Sequence, residues 1–202
     1  MKLDKTLEYG PEHLIKFEYL CGIDEVGRGC GAGPVVTAAV ILPKGFSSPL
    51  LRDSKKLSEK QRTEAYKLII DNALAISCEA GSVTDINELG INPATFKTMH
   101  KCLDKLTMTP DYVLLDGTVW DNVGKYKIEL VTKGDDTYLS IAAAAIVAKV
   151  RRDEYMVKLH ELFPSYEWNS NKGYLSPTHI SAIKNIGVCK YHRTQYVRNF
   201  LK

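Results

Sequence analysis

The chain has 202 residues, 45% apolar and 25% charged, with a formal net charge of +3. That length supports one well-buried core, and the even charge with no repeat or low-complexity tract excludes long disorder. Five scattered cysteines (Cys21, Cys30, Cys78, Cys102, Cys189) without a C-x-x-C pair exclude a zinc site or disulfide framework. They imply a reducing, cytoplasmic home, and the charged start Met1 to Lys5 with no membrane-length apolar stretch predicts neither secretion nor insertion.

Tyr19 to Ile23 predicts a strand that ends in two adjacent acids, Asp24 and Glu25. Successive strand side chains point to opposite faces, so sharing one site needs a local bend or a second ion. The bland alternative is a strand-end turn with solvated acids. Gly27-Arg28-Gly29 follows, and it offers bare N–H groups and a guanidinium to a polyanion or a sugar hydroxyl. Gly33 to Leu42 is continuous, apolar and β-branched, which predicts a buried central strand paired with the first as a hairpin.

Ser58-Glu59-Lys60-Gln61 is a capping box, and Ala65, Leu68 and Ile69 recur at helical spacing, predicting a helix from about Ser58 to Asn72. Ala73 to Val83 reads as a third strand, and Asn92-Pro93 opens a second helix with Phe96, Met99, Leu103 and Leu106 on one face. Tyr112 to Leu115 predicts a buried strand ending at Asp116-Gly117, and Ile128 to Val131 a fifth, ended by Lys133-Gly134-Asp135-Asp136. Leu139 to Leu162 is a long helix whose alanine-rich first half lets another element approach closely; Ser176-Pro177 starts a last helix, to about Ile186. From Lys149 onward ten Lys/Arg face four Asp/Glu, an excess that suits either a polyanion or a solvated helix face.

Strands alternating with helices describe a mixed α/β sheet with helices on both faces, where ligands gather at strand carboxyl ends. Asp24-Glu25 and Asp116 occupy such ends, and Asp135 begins just beyond one. Taken alone, Asp116 reads equally as an Asp-Gly turn and Asp135 as the first-turn acid of a helix. Their joint placement favours a site. Four carboxylates with no thiolate or histidine pair suit Mg2+ or Mn2+. Two such ions roughly 3.5–4 Å apart hydrolyse phosphodiesters, one activating water and one stabilising the leaving oxygen.

The segments Gly22-Ile23-Asp24-Glu25-Val26-Gly27-Arg28-Gly29, Ala32-Gly33-Pro34-Val35-Val36, Asp53-Ser54-Lys55-Lys56-Leu57-Ser58, Leu114-Leu115-Asp116-Gly117, Lys133-Gly134-Asp135, Ser140-Ile141-Ala142-Ala143-Ala144 and Asn171-Lys172-Gly173-Tyr174 follow one another in this order. From about Cys21 to Tyr196 the chain resembles ribonuclease HII, the bacterial type 2 ribonuclease H. The resemblance implies a ribonuclease H-like mixed five-stranded sheet flanked by helices, with a C-terminal helical part from about residue 164 and an N-terminal extension, residues 1–20. It implies an endonuclease that cuts the RNA strand of RNA–DNA hybrids and incises 5′ of ribonucleotides embedded in duplex DNA, leaving 3′-hydroxyl and 5′-phosphate ends. Asp24, Glu25, Asp116 and Asp135 would be its catalytic, metal-binding set for Mn2+ or Mg2+. Gly27, Arg28 and Gly29 would read the ribose 2′-hydroxyl, Lys55 would contact a phosphate, and Tyr174 would pack on the sugar of the adjoining deoxynucleotide.

A monomer acting in the cytoplasm in ribonucleotide excision repair is the matching expectation. Two departures stand out against the family: Asp136 follows Asp135, and Gly31 stands where a larger apolar residue is usual. None of His13, His100, His160, His179 and His192 makes a metal pair in the sequence, His192 being at most a backbone or phosphate contact, and Asp153 reads as a surface acid. The alternatives are a ribonuclease HIII-like enzyme, whose family carries an additional N-terminal substrate-binding domain, and a catalytically silent hybrid-binding or metal-binding module.

Overall fold

The computed structural model describes residues 7–121 and 124–201, so the charged start Met1 to Lys5 lies outside the described residues. Five strands form one mixed sheet, ordered β3-β2-β1-β4-β5: β1 (Leu20–Val26), β2 (Val35–Ile41), β3 (Ala75–Gly81), β4 (Tyr112–Asp116) and β5 (Ile128–Val131). The predicted hairpin forms, with β1 antiparallel to β2, and β3 extends it; β4 and β5 continue the sheet in parallel.

One boundary differs in a way that matters. β1 runs past Ile23, because Asp24, Glu25 and Val26 keep their backbone pairing with Ala38, Thr37 and Val36. The ladder stops only at Gly27, whose φ of +94° is a left-handed conformation that favours glycine. The two acids therefore lie within the strand, not at its end.

The capping box forms: the Ser58 hydroxyl accepts from the Gln61 N–H at 3.3 Å, and the Gln61 side chain accepts from the Ser58 N–H at 3.0 Å. It starts α1 (Glu59–Asn72). β3 ends earlier than the apolar run implies, since Ser82 caps an additional short helix, α2 (Val83–Leu89), by accepting from the Asp85 N–H at 2.9 Å. Gly90, at φ +88°, separates it from α3 (Ile91–Asp104), which thus begins one residue ahead of Asn92. α4 (Leu139–Leu162) has the predicted bounds, and α5 (Trp168–Asn171), α6 (Pro177–Ile186) and α7 (Thr194–Val197) follow.

Each sheet face buries a separate apolar cluster. Val36, Ala38 and Val40 of β2 pack beneath Ala65 and Ile69 of α1 and Ala142, Ala143 and Ile146 of α4. On the opposite face Cys21, Ile23, Ala39, Ile41, Val113 and Leu115 pack beneath Met99, Cys102 and Leu103 of α3. Each buried aliphatic side chain contributes about 1.5–3 kcal/mol relative to exposure, so the two layers together fix the sheet. A third cluster, with Ala32, Met156, Tyr166, Trp168, Ile183 and Val197, joins the end of α4 to the C-terminal helices. Among the described residues no helix is long and apolar enough to cross a membrane.

Candidate metal and nucleic-acid site

Alternation along β1 decides where its two acids go. Cys21 and Ile23 enter the α3-side core and Leu20 packs with Leu114 and Ile141 on the α4 side, so Asp24 faces α4 and Glu25 faces α3. No bend brings the two together; they flank the end of the sheet from opposite sides. Asp116, the last residue of β4, shares the face of Asp24, two residues beyond Leu114. Asp135 comes from a 3-10 turn, Gly134–Asp136, just ahead of α4.

Asp24, Asp116 and Asp135 each offer one carboxylate oxygen, and these atoms all lie within 4.8 Å of one another. Asp24 is 8% exposed and Asp135 7%. The Gly134 N–H donates to Asp116 Oδ1 at 2.8 Å, tying the turn that carries Asp135 to the strand that carries Asp116. Asp24 Oδ1 accepts from the Glu25 N–H at 2.7 Å.

Crowded burial makes this cluster electrostatically uncomfortable. Burial first, then the charges of Glu25 and Asp116, hold Asp24 well above the usual carboxylate range. Burial and Asp116 raise Asp135 as well. Burial also raises Glu25, against the opposing pull of Arg28. Three converging hard oxygen donors, without thiol or imidazole, fit a divalent cation of the Mg2+ and Mn2+ type and not zinc. Such a cation would offset the repulsion that the fold has built in.

The Asp135-Asp136 pair divides its roles. Asp135 points to the cluster, whereas both oxygens of Asp136 bind Lys56 Nζ, at 2.6 and 2.5 Å. Neighbouring Lys55 lies in a 3-10 turn capped by Asp53, and its ammonium, 80% exposed, stands 3.7 Å from Asp135 Oδ2. Burial works to lower its pKa, but Asp135, Asp53, Asp24 and Asp116 outweigh that and raise it.

On the α3 side a cavity of about 260 Å3 opens between Glu25, Arg28, Asn92, Phe96 and Asp116. Arg28 donates to Glu25 Oε1 at 3.4 Å and to Asn92 Oδ1 at 2.5 Å. Around Gly29 the space is open, with nothing within 4 Å of where a β-carbon would stand. Tyr174, 48% exposed, follows Gly173, whose carbonyl accepts from the N–H groups of Gly31 (2.9 Å) and Ala32 (3.2 Å). The Tyr174 turn is thereby docked beside the glycine loop. At Gly31 a β-carbon would stand 2.5 Å from Leu175 Cδ2, so Leu175 occupies the room that a larger residue would need.

The structure thus gathers Asp24, Asp116 and Asp135, sets Glu25 and Arg28 on the other flank, and places Lys55 beside Asp135 and the Tyr174 turn beside the glycine loop. Asp153 pairs with Lys149 at 2.8 Å on α4, outside the acid group. His192 is buried, its Nε2 3.1 Å from that of His179 and its Nδ1 accepting from the Cys189 N–H at 3.0 Å. Sequence reasoning missed Asn92, and it missed Arg152 and Arg193, two members of the basic C-terminal excess that are fully buried. No local signal in the sequence marks them, since their carbonyl partners are distant along the chain.

The family model described as Ribonuclease HII matches residues 21–200. Ribonuclease HII of Bacteroides thetaiotaomicron is 47% identical over 175 residues, 87% of this chain and 88% of the relative. That of Ruminiclostridium cellulolyticum is 41% identical over 202 residues, 100% of this chain and 79% of the relative. Among solved structures, the ribonuclease H2 from Pyrococcus horikoshii OT3 is similar with a TM-score of 0.77 at 22% identity, covering 90% of this chain and 96% of that one. Bst-RNase HIII in complex with Mn2+ is similar with a TM-score of 0.69 at 17% identity, covering 93% and 70%. At these identities the structural likeness is one of fold.

Proposed function

The chain belongs to the ribonuclease HII family, and from that premise we propose that it hydrolyses the RNA strand of RNA–DNA hybrids and incises 5′ of single ribonucleotides in duplex DNA, leaving 3′-hydroxyl and 5′-phosphate ends. The observation that carries this reading is the convergence of the Asp24, Asp116 and Asp135 carboxylates beside an open glycine loop.

In this reading Asp24, Glu25, Asp116 and Asp135 hold Mn2+ or Mg2+. When bound, two such ions supply an activated water and neutralise charge on the phosphate and its leaving oxygen. The protein's own residues do the remainder. Asp24 and Glu25 clasp the end of the sheet from its two faces, so the scissile phosphate lies across the strand end. Lys55 offers a mobile ammonium to a neighbouring phosphate. Gly27, Arg28 and Gly29 address the ribose 2′-hydroxyl, the group that distinguishes RNA from DNA. Tyr174 packs on the sugar of the adjoining deoxynucleotide, which favours an RNA–DNA junction.

The same reading makes residues 21–202 the catalytic domain, with its helical part from about residue 164, after the extension 1–20. It describes a monomer working in the cytoplasm in ribonucleotide excision repair. The test is metal-dependent cleavage of a duplex carrying one ribonucleotide, with product ends mapped, for the wild type and Asp116→Asn. Cleavage by the wild type with Mn2+ or Mg2+, lost in a folded Asp116→Asn, is the expected result. Intact substrate with both metals and folded wild-type protein would remove the proposal.

A further inference from the structure

We propose that Arg152 and Arg193 are positioning residues for substrate selection: two buried guanidinium groups that hold the glycine loop and the Tyr174 turn in one frame. This inference rests on the ribonuclease reading above.

Both side chains are 0% exposed. Among the described residues neither has an ion-pair partner; six of their hydrogen bonds go to main-chain carbonyls, and the Tyr196 side chain adds a further polar contact to Arg193. Arg152 donates to Pro34 O at 3.0 Å, Lys172 O at 2.7 Å and Ala32 O at 3.1 Å. Arg193 donates twice to Gly33 O, at 2.9 and 2.8 Å, and once to Arg28 O at 2.9 Å. The Tyr196 ring stands 5.5 Å from the Arg193 guanidinium carbon. Burying a cation without a counter-ion costs several kcal/mol, and an apolar side chain would fill the same volume without that cost. What an apolar residue lacks is the planar fork, which fixes several carbonyls at once.

The orientation of those carbonyls has a direct consequence. In a trans peptide the C=O and the following N–H point in opposite directions, and the described residues contain no cis bond. Arg193 draws the Arg28 carbonyl towards itself, so the Gly29 N–H points away from the guanidinium, and the space where a β-carbon on Gly29 would stand is open as well. Arg193 thus presents a donor to the ribose without touching it. Beneath the other end of the loop, a β-carbon on Gly27 would stand 2.1 Å from Arg152 Nε, so the glycine is required by its neighbour as well as by its φ of +94°.

Arg152 also spans two segments. It holds Ala32 and Pro34 of the loop and Lys172 of the turn that leads to Tyr174. Together with the Gly31 and Ala32 N–H bonds to Gly173 O, this guanidinium sets the separation between the glycine loop and Tyr174.

The experiment uses the full chain as Arg193→Lys and Arg152→Lys, with folding checked by circular dichroism. Metal-free binding, in chelator, is measured by fluorescence anisotropy on a duplex with one ribonucleotide and on its all-DNA counterpart. Arg193→Lys is expected to lose about ten-fold of the preference for the ribonucleotide duplex, about 1.4 kcal/mol, with all-DNA affinity unchanged. Arg152→Lys is expected to lower the ratio of junction cleavage to continuous-hybrid cleavage by about five-fold, a change of about 1 kcal/mol, the continuous-hybrid rate falling less than the junction rate. Wild-type ratios in folded variants overturn the inference, as does an equal loss on both substrates of a pair. If Arg193→Lys does not fold, Arg193→Gln, neutral in the buried space, is judged by the same ratio. A folded wild type that binds both duplexes equally and cuts neither removes the ribonuclease reading itself, and the inference with it.

Discussion

Gly22 lies against Ser140 so closely that a β-carbon on Gly22 would stand 2.1 Å from the Ser140 carbonyl carbon and 2.3 Å from the Ile141 nitrogen. This is where α4 crosses β1, two residues before Asp24 and a few beyond Asp135. Gly22→Ala should push the helix off the strand, costing about 1–3 kcal/mol or more, and should weaken divalent-cation affinity by displacing Asp135 from Asp24. Urea denaturation and calorimetric metal titration check the two effects. Wild-type values in both would contradict the close approach.

Asp135 and Asp136 are neighbours with opposite orientations, and their asparagine variants should separate cleanly. Asp135→Asn removes a donor from the acid cluster and should lower cleavage by more than about a hundred-fold, the loss that changes around metal ligands alone can reach. Asp136→Asn releases Lys56 from a solvent-screened pair and should change the rate less than about three-fold. Steady-state rates on one substrate at saturating metal decide. Reversal of the two would reassign the inward acid.

Burial, Glu25 and Asp116 raise the pKa of Asp24, so the folded protein holds that proton more tightly than the unfolded chain does. The resulting stability is full below the ordinary value of 3.8 and is lost as the pH climbs through the raised folded value. Without metal at pH 8, Asp24→Asn should therefore unfold at a higher temperature than the wild type, each unit of upward shift being worth about 1.4 kcal/mol. Added Mn2+ should stabilise the wild type and leave the variant largely unmoved. A variant that melts earlier in chelator would count against a repulsive cluster.

His192 is buried between Tyr166, Trp168 and His179, and desolvation, followed by the unfavourable proximity of His179 to a protonated ring, pulls its pKa down to about 4. The His179 Nδ1–H donates to Tyr174 O at 2.9 Å, leaving its Nε2 to accept from the Trp168 indole and from His192. Both rings are thus neutral in the fold. Because the unfolded chain binds the proton more readily, stability is full above pH 6.5 and falls as the pH drops towards 4. The loss attributable to His192 is up to about 3 kcal/mol, and His192→Gln should flatten this part of a stability–pH curve. An unchanged slope would remove His192 as its source.

Tyr174→Ala removes a half-exposed ring with little core to lose, so the melting temperature should hold nearly constant. Junction cleavage should fall about ten-fold, in keeping with about 1–3 kcal/mol for an aromatic packed on a nucleotide. Cleavage of a continuous hybrid should fall much less. Equal losses on the two substrates would sink the sugar-packing role.

Much of this fold is written locally. The capping box at Ser58, the β-branched ends of β5 and the periodicity of α4 each show in a few adjacent residues, and their bounds follow. α2 does not show, because seven residues span barely two turns and their cap, Ser82, sits where a strand is ending. The extension of β1 through Asp24 and Glu25 is decided by β2, whose backbone offers partners that overrule the low strand propensity of acids.

The acids are legible because Asp24, Glu25 and Asp116 follow apolar residues of their strands, and Asp116 and Asp135 gain meaning from one another. The separation of Asp24 and Glu25 by the sheet needs the register as well as the sequence. Arg152 and Arg193 were hidden for a different reason. An arginine on a basic stretch reads as solvated, and the carbonyls that hold these two are distant in sequence, those of Arg28 and Gly33 lying 165 and 160 positions from Arg193.

Asp24 and Asp116 share a face because Ile23 pairs with Leu115 in the parallel β1–β4 ladder. A slip of one residue would invert β4 and send Asp116 to the α3 side, abolishing the three-acid group without removing a single residue. Cation binding is therefore a reporter of strand registry, and its appearance during refolding should coincide with the slow, long-range pairing of β1 with β4. If the three acids carry the proposed activity, a misassembled copy would lack their cation site, and nuclease activity would await correct closure of the sheet.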